Sequence, residues 1–416
     1  MSGVLVVGGG IAGTAAALAA ARAGARVTLL DGGTGATTLS TGALDDVPWA
    51  QTAQTPALPR PPPATATRAV LEALDAYAVP DAGAGIATTA GVLRPARGHD
   101  LALLDLRPFA SGRLGVVRCD RPDWDAAALA RAWGAGFTPL EATVLRHVDE
   151  RLLPAADFAA RHDDEARLGW LAERLRAALS RARARFDALL LPPSLGVERE
   201  RARALSARVG LPCGEAAGLP GGPSGLRFER ARDRALAAAQ VEHLRGRATA
   251  VEREGSPWRV ALAEGTALEA TAVVLAAGGL VGGGLAYTPG DAAEASVLPP
   301  GSREPFHLAL RAPGVRLGAH GRPLELPGSL FGIPPESLAW PFTADALMDR
   351  VGALVDDDGR AAPGLYLAGE MVADAHRTWL RALESGLRAG SSAARDALSA
   401  TAERSPSAFA APSSRP

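Results

Sequence analysis

Val4-Leu5-Val6-Val7 runs directly into Gly8-Gly9-Gly10-Ile11-Ala12-Gly13, an alanine-rich stretch follows as far as Gly24, and Arg26-Val27-Thr28-Leu29-Leu30-Asp31 comes next. Four apolar residues ending at a glycine cluster read as a buried strand, the small-residue run as a helix, and Val27 to Leu30 as a second strand. Together they make a βαβ unit. Gly8, Gly10 and Gly13 fill the pattern G-x-G-x-x-G at the strand-to-helix junction. The first allows the tight turn, the second lets backbone approach a pyrophosphate, and the third lets helix pack on strand. Ile11 and Ala12 open the helix, so its backbone N–H groups and positive dipole end face the phosphates. Asp31 closes the second strand, about 20 residues on, where a carboxylate accepts hydrogen bonds from an adenosine ribose. Glycine-rich turns are common, but strand, pattern, helix, strand and terminal acid in this order indicate a bound dinucleotide. NAD and FAD use the same unit, so this stretch does not choose between them.

Later stretches do. Residues 34–42, Thr-Gly-Ala-Thr-Thr-Leu-Ser-Thr-Gly, are rich in hydroxyls and glycine. Ser40, Thr41 and Gly42 suit the wrapping of donors around a phosphate or an isoalloxazine edge, with a plain solvent loop as the other reading. A strand from Thr271 to Leu275 stops at Ala276-Ala277-Gly278-Gly279, where small residues let backbone lie against a cofactor. An apolar strand, Leu365 to Ala368, stops at Gly369-Glu370, and Glu384-Ser385-Gly386 then precedes a helical pattern from Leu387 to Leu398. Glycine there admits a ribityl chain, and a helix N-terminus stabilises the negative charge that builds at N1 and O2 of a reduced flavin. The expected cofactor is therefore FAD, with FMN as the alternative.

Composition narrows the rest. With 416 residues, two domains are expected. The net charge is −1 with scattered basic residues, which gives no electrostatic case for nucleic acid. All 44 basic residues are arginine, so a P-loop lysine and a Schiff-base lysine are both excluded. Cys119 and Cys213 belong to no C-x-x-C or histidine cluster, so no metal is expected. The start shows no signal-peptide pattern, and the apolar run Ala272 to Tyr287 is broken by five glycines. A cytoplasmic chain is expected, peripheral at the inner membrane only through partners.

Along the chain, 47–63 reads as a proline-rich excursion and Ala66 to Tyr77 as a helix. Leu101 to Leu106, Leu114 to Cys119 and Thr138 to Leu145 read as strands, with a helix from Trp124 to Trp133. Residues 155–186 read as helical with an arginine stripe, taken as a solvated face. A strand Ala188 to Leu191 precedes Pro192-Pro193, and helices are expected from Arg199 to Arg208 and from Leu226 to about His243.

These elements resemble the FAD-dependent oxidoreductases of the fumarate reductase and succinate dehydrogenase flavoprotein group. Within that group the chain is most similar to the B-subunit family of anaerobic glycerol-3-phosphate dehydrogenases. Besides the glycine fingerprint, the resemblance rests on Leu39-Ser40-Thr41-Gly42-Ala43-Leu44-Asp45, Leu189-Leu190-Leu191-Pro192-Pro193, Pro223-Ser224-Gly225-Leu226-Arg227 and Val274 to Gly279. Leu365 to Gly369 completes it, while the run Thr378 to Gly386 departs from the family's glycine-rich loop. The resemblance implies a flavoprotein that works beside a second flavoprotein subunit and an iron–sulfur subunit, passing electrons from glycerol 3-phosphate towards quinone.

Oxidation of a secondary alcohol needs a base for the hydroxyl proton and arginines to hold a phosphate bidentately. The candidate bases are His307, His320, His376 and Glu384, and the candidate clamps are Arg227, Arg303 and Arg377. His376-Arg377 is the best-placed pair, and Arg303 sits where a lid is expected. The expected fold class is α/β: a Rossmann-like FAD-binding domain of the two-dinucleotide type from 1–89, 216–284 and 346–399, with an inserted cap-like α/β region at 90–215. A smaller excursion or lid spans 285–345, and 400–416 reads as a disordered tail. Two other functions stay open: a stand-alone FAD oxidoreductase of another small hydroxy or amino acid, and a non-catalytic flavin relay subunit.

Overall fold

The computed structural model describes residues 3–48, 63–253, 257–279, 282–289, 306–309, 315–319, 322–323, 330–332 and 351–404. The chain divides into two units. One comprises Met1–Gly33, Leu236–Ala375 and Ala382–Pro416, the other Thr34–Ala235 and His376–Arg381.

The first unit is built on a six-stranded sheet in the order Glu242–Arg245, Val27–Asp31, Val4–Val7, Ala272–Leu275, Leu365–Leu367, Arg360–Ala362. Neighbouring strands run parallel except for the last, which is antiparallel to Leu365–Leu367. Every residue of Val4–Val7 is buried, as a central parallel strand covered on both faces requires. This is the Rossmann-like α/β architecture that the opening βαβ unit implies. The helix Ile11–Arg22 is buried around its circumference, with Ala15, Ala16, Ala17 and Ala20 each at 0% exposure. Such small side chains let the C-terminal helix come to backbone contact. A Cβ on Gly386 would stand 2.1 Å from the Ala12 carbonyl oxygen, and one on Gly390 2.2 Å from that of Ala16. Ala248–Glu252, Trp258–Leu262 and Ala267–Ala270 form an antiparallel sheet between Glu242–Arg245 and Ala272–Leu275 in the chain. Trp258, Val260, Leu275 and Leu365 share its core.

Two expectations change here. The helix expected to reach His243 is Pro223–Ala238, after which Gln240, at φ 55°, turns the chain into Glu242–Arg245. That strand lies at the sheet edge with both ends exposed, so it carries no apolar run to read. The last helix is Trp379–Arg404, so residues 400–404 are helical rather than tail. Residues 405–416 lie outside the described residues.

The second unit has a four-stranded, all-parallel sheet in the order Cys213–Glu215, Ala188–Leu191, Leu114–Val117, Phe137–Leu140. The helices Ala126–Trp133, Glu165–Arg181 and Ala202–Val209 connect it, and its core runs from Leu114 and Val116 through Phe158, Leu168 and Leu171 to Leu205. Ala126–Trp133 packs on Leu114–Val117 and Phe137–Leu140, while Glu165–Arg181 packs against Ala202–Val209, which lies on Cys213–Glu215. The expected helix at 155–186 is interrupted. Ala155–Ala160 and the turn Arg161–Asp163 come first, and Asp164 then caps Glu165–Arg181 by accepting the Arg167 N–H at 2.7 Å. Asp125 likewise delays the helix expected from Trp124 by accepting from Ala127 and Ala128 at 3.0 and 2.9 Å. Leu101 to Leu106 is not a strand: Asp100 Oδ1 accepts the Ala102 N–H at 2.9 Å and turns the chain.

The region expected as an insert, 90–215, lies wholly within this second unit. Within 285–345 the described residues form short strands, among them Ala286–Pro289 and Phe306–Ala309. No helix among the described residues is long and apolar enough to cross a membrane.

Candidate functional site

Gly8 and Gly13 of the glycine fingerprint are sterically obligatory in the first unit. Gly8 has φ +117°, and a Cβ on it would stand 2.2 Å from the Ala276 carbonyl oxygen. A Cβ on Gly13 would stand 1.8 Å from the oxygen of Gly8 itself, which is the close helix-on-strand approach expected of the third glycine. Gly10 is the N-cap of Ile11–Arg22; no side chain caps it and no acidic residue occupies the first turn. A helix start of this kind suits an anionic ligand. Asp31 ends its strand almost buried, at 4% exposure. Its Oδ1 accepts the Gly33 N–H at 3.0 Å, and His243 Nε2 stands 3.6 Å from Oδ2.

The other two glycine elements of this unit come to the same place. Ala276 closes the strand beside Val4–Val7, donating to Val7 O at 2.8 Å, and Ala368 N donates to Leu275 O at 2.9 Å. Gly279 N donates to Glu370 Oε2 at 3.2 Å, and Gly369 N to Ser385 Oγ at 2.8 Å. Ala12 is the meeting point. A Cβ on Gly369 would lie 3.0 Å from the Ala12 side chain, and Gly386 abuts the Ala12 carbonyl. Gly278, at φ +78°, and Ala277 complete the turn. A cavity of about 360 Å³ opens here, lined by Val7, Leu275, Ala277, Gly283, Gly284, Met371 and residues 247–251. One expectation fails in detail. Glu384, Ser385 and Gly386 lie inside the helix Trp379–Arg404, not before its N-terminus, so no dipole end is presented at Leu387. The sequence offers no breaker after Trp379, and Gly386 is there for contact with Ala12.

Ser40, Thr41 and Gly42 belong to the second unit. Gly42 has φ +94°, and a Cβ on it would meet Ser224 Oγ at 2.4 Å and Asp100 Cβ at 3.0 Å; Gly225 presses equally on the Thr38 carbonyl oxygen, at 1.8 Å. Gly42 N donates to Ser40 Oγ at 3.2 Å, and Thr38 Oγ1 to Glu229 Oε1 at 3.0 Å. Asp100 Oδ2 accepts from Ser224 Oγ at 2.7 Å and from Arg227 Nε at 2.8 Å. Arg227 Nη1 donates to Gly196 O at 2.7 Å, and Nη2 to Glu215 Oε1. Glu215 Oε2 accepts the N–H groups of Ser194 and Leu195 at 2.8 and 2.7 Å. Burial raises the Glu215 carboxyl. Burial pulls the Arg227 guanidinium down, but Asp100 and Glu215 outweigh it, so its pKa is raised. Arg227 is thus committed to a buried network and is not a phosphate clamp, which corrects the sequence reading.

His376 and Arg377 are half-buried in the second unit and Glu384 half-buried in the first. The segment carrying the pair is fixed: Leu380 N donates to Asp45 O at 2.9 Å, and the Trp379 ring lies 5.0 Å from that of Tyr77. Asp45 in turn pairs with Arg94 at 2.6 Å. Arg303 and His320 lie outside the described residues; His307 is in the strand Phe306–Ala309. Cys119 and Cys213 are free and buried, and burial pushes both thiols up to about 12. No cluster of three or more histidine, cysteine, aspartate or glutamate residues suited to a metal occurs among the described residues. Sequence reasoning missed Asp100, Glu215, Glu150, His162 and Arg167. All five are buried polar residues, and only Glu215, alone among the small and apolar residues of 211–219, carries a local sequence signal.

Solved structures resemble this chain at low identity. The 3-ketosteroid Δ1-dehydrogenase of Sterolibacterium denitrificans is 14% identical, with 95% of this chain and 99% of that one covered and a TM-score of 0.35. The GidA-related protein of Thermus thermophilus is 14% identical over 94% and 96%, with a TM-score of 0.28. The OxyS anhydrotetracycline hydroxylase of Streptomyces rimosus is 13% identical over 97% of this chain and 63% of its own length, with a TM-score of 0.33. No curated protein is detectably similar in sequence. Residues 3–337 match the DAO family, FAD dependent oxidoreductase, and the chain belongs to that family: it is a flavin-dependent oxidoreductase that uses FAD.

Proposed function

We propose that the chain is the B-subunit-like component of a quinone-linked glycerol-3-phosphate dehydrogenase, oxidising glycerol 3-phosphate to dihydroxyacetone phosphate together with a second flavoprotein subunit and an iron–sulfur subunit. The observation that carries this reading is the fit between the two most specific stretches of the resemblance. Ser40-Thr41-Gly42 and Pro223-Ser224-Gly225-Leu226-Arg227 touch at Gly42–Ser224, and Gly225 presses on Thr38 just ahead of the first stretch, so they act as one structural signature rather than two chance matches.

In this reading Gly8, Gly10, Ile11, Ala12 and Gly13 hold the pyrophosphate, Asp31 the ribose, and Ala277, Gly278, Gly279, Gly369 and Glu370 the remainder of the FAD in the first unit. Bound FAD supplies the two-electron acceptor. The chain's own task is to hold the substrate phosphate and take the hydroxyl proton, roles assigned to Arg377, with Arg303, and to His376, with Glu384 as the other base.

The test is dye-linked oxidation of glycerol 3-phosphate by the chain alone and by the chain co-expressed with whatever flavoprotein and cysteine-rich reading frames its gene neighbourhood supplies. Little turnover alone and strong turnover with copurifying partners supports the reading. Rapid turnover alone on another hydroxy or amino acid supports the stand-alone oxidoreductase. Copurification with no gain in turnover supports the electron relay.

A further inference from the structure

The parallel sheet of the second unit contains its own reversal of strand order. In chain order its strands are Leu114–Val117, Phe137–Leu140, Ala188–Leu191 and Cys213–Glu215, yet Leu114–Val117 lies between the second and the third. The first connection leaves Leu114–Val117 towards one edge, and the next crosses back to its other side. In open parallel sheets such a reversal leaves a crevice outside the carboxyl ends of the two strands it separates, and ligands bind there. Here those ends lead into the loops that begin at Arg118 and Pro192.

The backbone donors of the second loop are occupied. Ser194 and Leu195 hold Glu215, and Val197 and Glu198 donate to Asp163 Oδ2 at 3.0 and 3.1 Å. From the first loop, Arg121 donates to the carbonyl oxygens of Glu150 and Leu153 at 3.0 and 2.9 Å and, through Nε and Nη2, to both carboxylate oxygens of Asp123 at 3.0 and 2.9 Å. Glu150 Oε2 accepts Arg167 Nη2 at 2.6 Å and the Arg146 N–H at 2.7 Å. Arg167 is 5% exposed, and its Nε and Nη1 have no hydrogen-bond partner within the protein. His162, 1% exposed, lies beside the backbone of Phe158 and Ser194 without reaching hydrogen-bond geometry at either ring nitrogen.

Each of the two arginines has one carboxylate, Asp123 for Arg121 and Glu150 for Arg167, so what stands unanswered is the pair of Arg167 nitrogens. Desolvated guanidinium N–H groups without acceptors are costly. An oxyanion answers them, because its acceptors match the fork of an arginine.

We propose that the crevice at the carboxyl ends of Leu114–Val117 and Ala188–Leu191 is a binding site for a small oxyanion, received by Arg167 beside His162. The oxyanion is either free phosphate or the phosphate of a small metabolite. The proposal is independent of the glycerol-3-phosphate reading.

Inorganic phosphate titrated into the FAD-loaded full chain tests it, against chloride at matched ionic strength. Thermal unfolding is one readout. Tryptophan fluorescence is the other, because the Arg167 guanidinium lies 4.5 Å over the Trp170 ring. The expected result is a saturable response to phosphate and none to chloride, weakened at least tenfold in Arg167→Met and less in Arg167→Lys. A parallel titration with glycerol 2-phosphate separates the sources: a monoester that binds tighter than phosphate assigns a metabolite headgroup, and the reverse assigns the free ion. Absence of any saturable response in the wild-type chain overturns the proposal even if the variants fail to fold. A response unchanged in a folded Arg167→Met also overturns it.

Discussion

Arg227 Nε donates to Asp100 Oδ2 at 2.8 Å, with the two side chains only 1% and 0% exposed. Asp100 N also donates to Gly42 O at 2.8 Å, so the ion pair anchors the loop that carries Ser40 and Thr41. Three of the Arg227 nitrogens each serve a different acceptor, on Asp100, Gly196 and Glu215. Arg227→Met leaves two buried carboxylates without their cation, which costs about 3–5 kcal/mol. Arg227→Lys should rescue little of this, because one ammonium on a flexible stem cannot reach all three acceptors. Chemical denaturation followed by circular dichroism measures both variants; a loss below about 1 kcal/mol in Arg227→Met would show that the network is dispensable.

Gly386 and Gly390 lie where the C-terminal helix meets Ile11–Arg22, so any side chain there forces two helices apart. Gly386→Ala places a methyl group 2.1 Å from the Ala12 carbonyl oxygen, in backbone that cannot rotate away. The displaced element is the helix start at Gly10, so the variant is expected to purify with less than half the wild-type FAD content, read from the flavin-to-protein absorbance ratio. Gly210→Ala is the contrasting control. It has φ +85° but nothing within 4 Å of its missing side chain, so it should lose about 1 kcal/mol of stability and keep its FAD.

The sheet of the first unit is legible in the sequence because its strands are buried on both faces and end at glycines. Val4–Val7 and Ala272–Leu275 read as uninterrupted apolar runs for that reason. Glu242–Arg245 escapes because an edge strand needs no apolar run. The glycine elements are legible for a steric reason, since Gly8, Gly13 and Gly386 would each collide with backbone. The arginines are not. Arg167 and Arg174 look alike on one helical stripe, yet Arg167 turns inward to Glu150 while Arg174 stays exposed. Nothing local distinguishes them; the difference lies in a carboxylate 17 residues upstream of Arg167. Arg227 is misread in the same way, because a long-range partner decides whether a guanidinium is a ligand clamp or a strut.

His162 couples the second unit to acid. Burial, aided by Arg167, holds the imidazole down at about 4 from an ordinary 6.5. The folded chain therefore stays neutral at this position where the unfolded chain takes up a proton. Stability contributed by the neutral form is complete above pH 6.5 and falls as the pH drops from 6.5 to about 4. The loss over that window is roughly 3 kcal/mol. Urea midpoints at pH 7, 5.5 and 4.5 should decline in the wild type and decline less in His162→Phe, whose ring cannot charge. Parallel curves for the two proteins would locate the acid sensitivity elsewhere.

Asp31 supplies the sharpest reading of how FAD is held. It stands at the carboxyl end of its strand at 4% exposure, oriented by the Gly33 N–H at 3.0 Å. A carboxylate so placed accepts hydrogen bonds from the adenosine ribose, a group that FMN lacks. Loss of a hydrogen bond to a charged group is worth about 1.5–3 kcal/mol, or roughly ten- to a hundredfold in affinity. Asp31→Ala is therefore expected to bind FAD ten- to a hundredfold more weakly, while its residual affinity for FMN stays at the wild-type value. Flavin released by heat and identified by chromatography should be FAD in the wild-type chain. Titration of apoprotein with each flavin in turn then separates the two effects. An equal loss for FAD and FMN would mean that Asp31 acts by holding the turn at Gly33 and not by meeting the ribose.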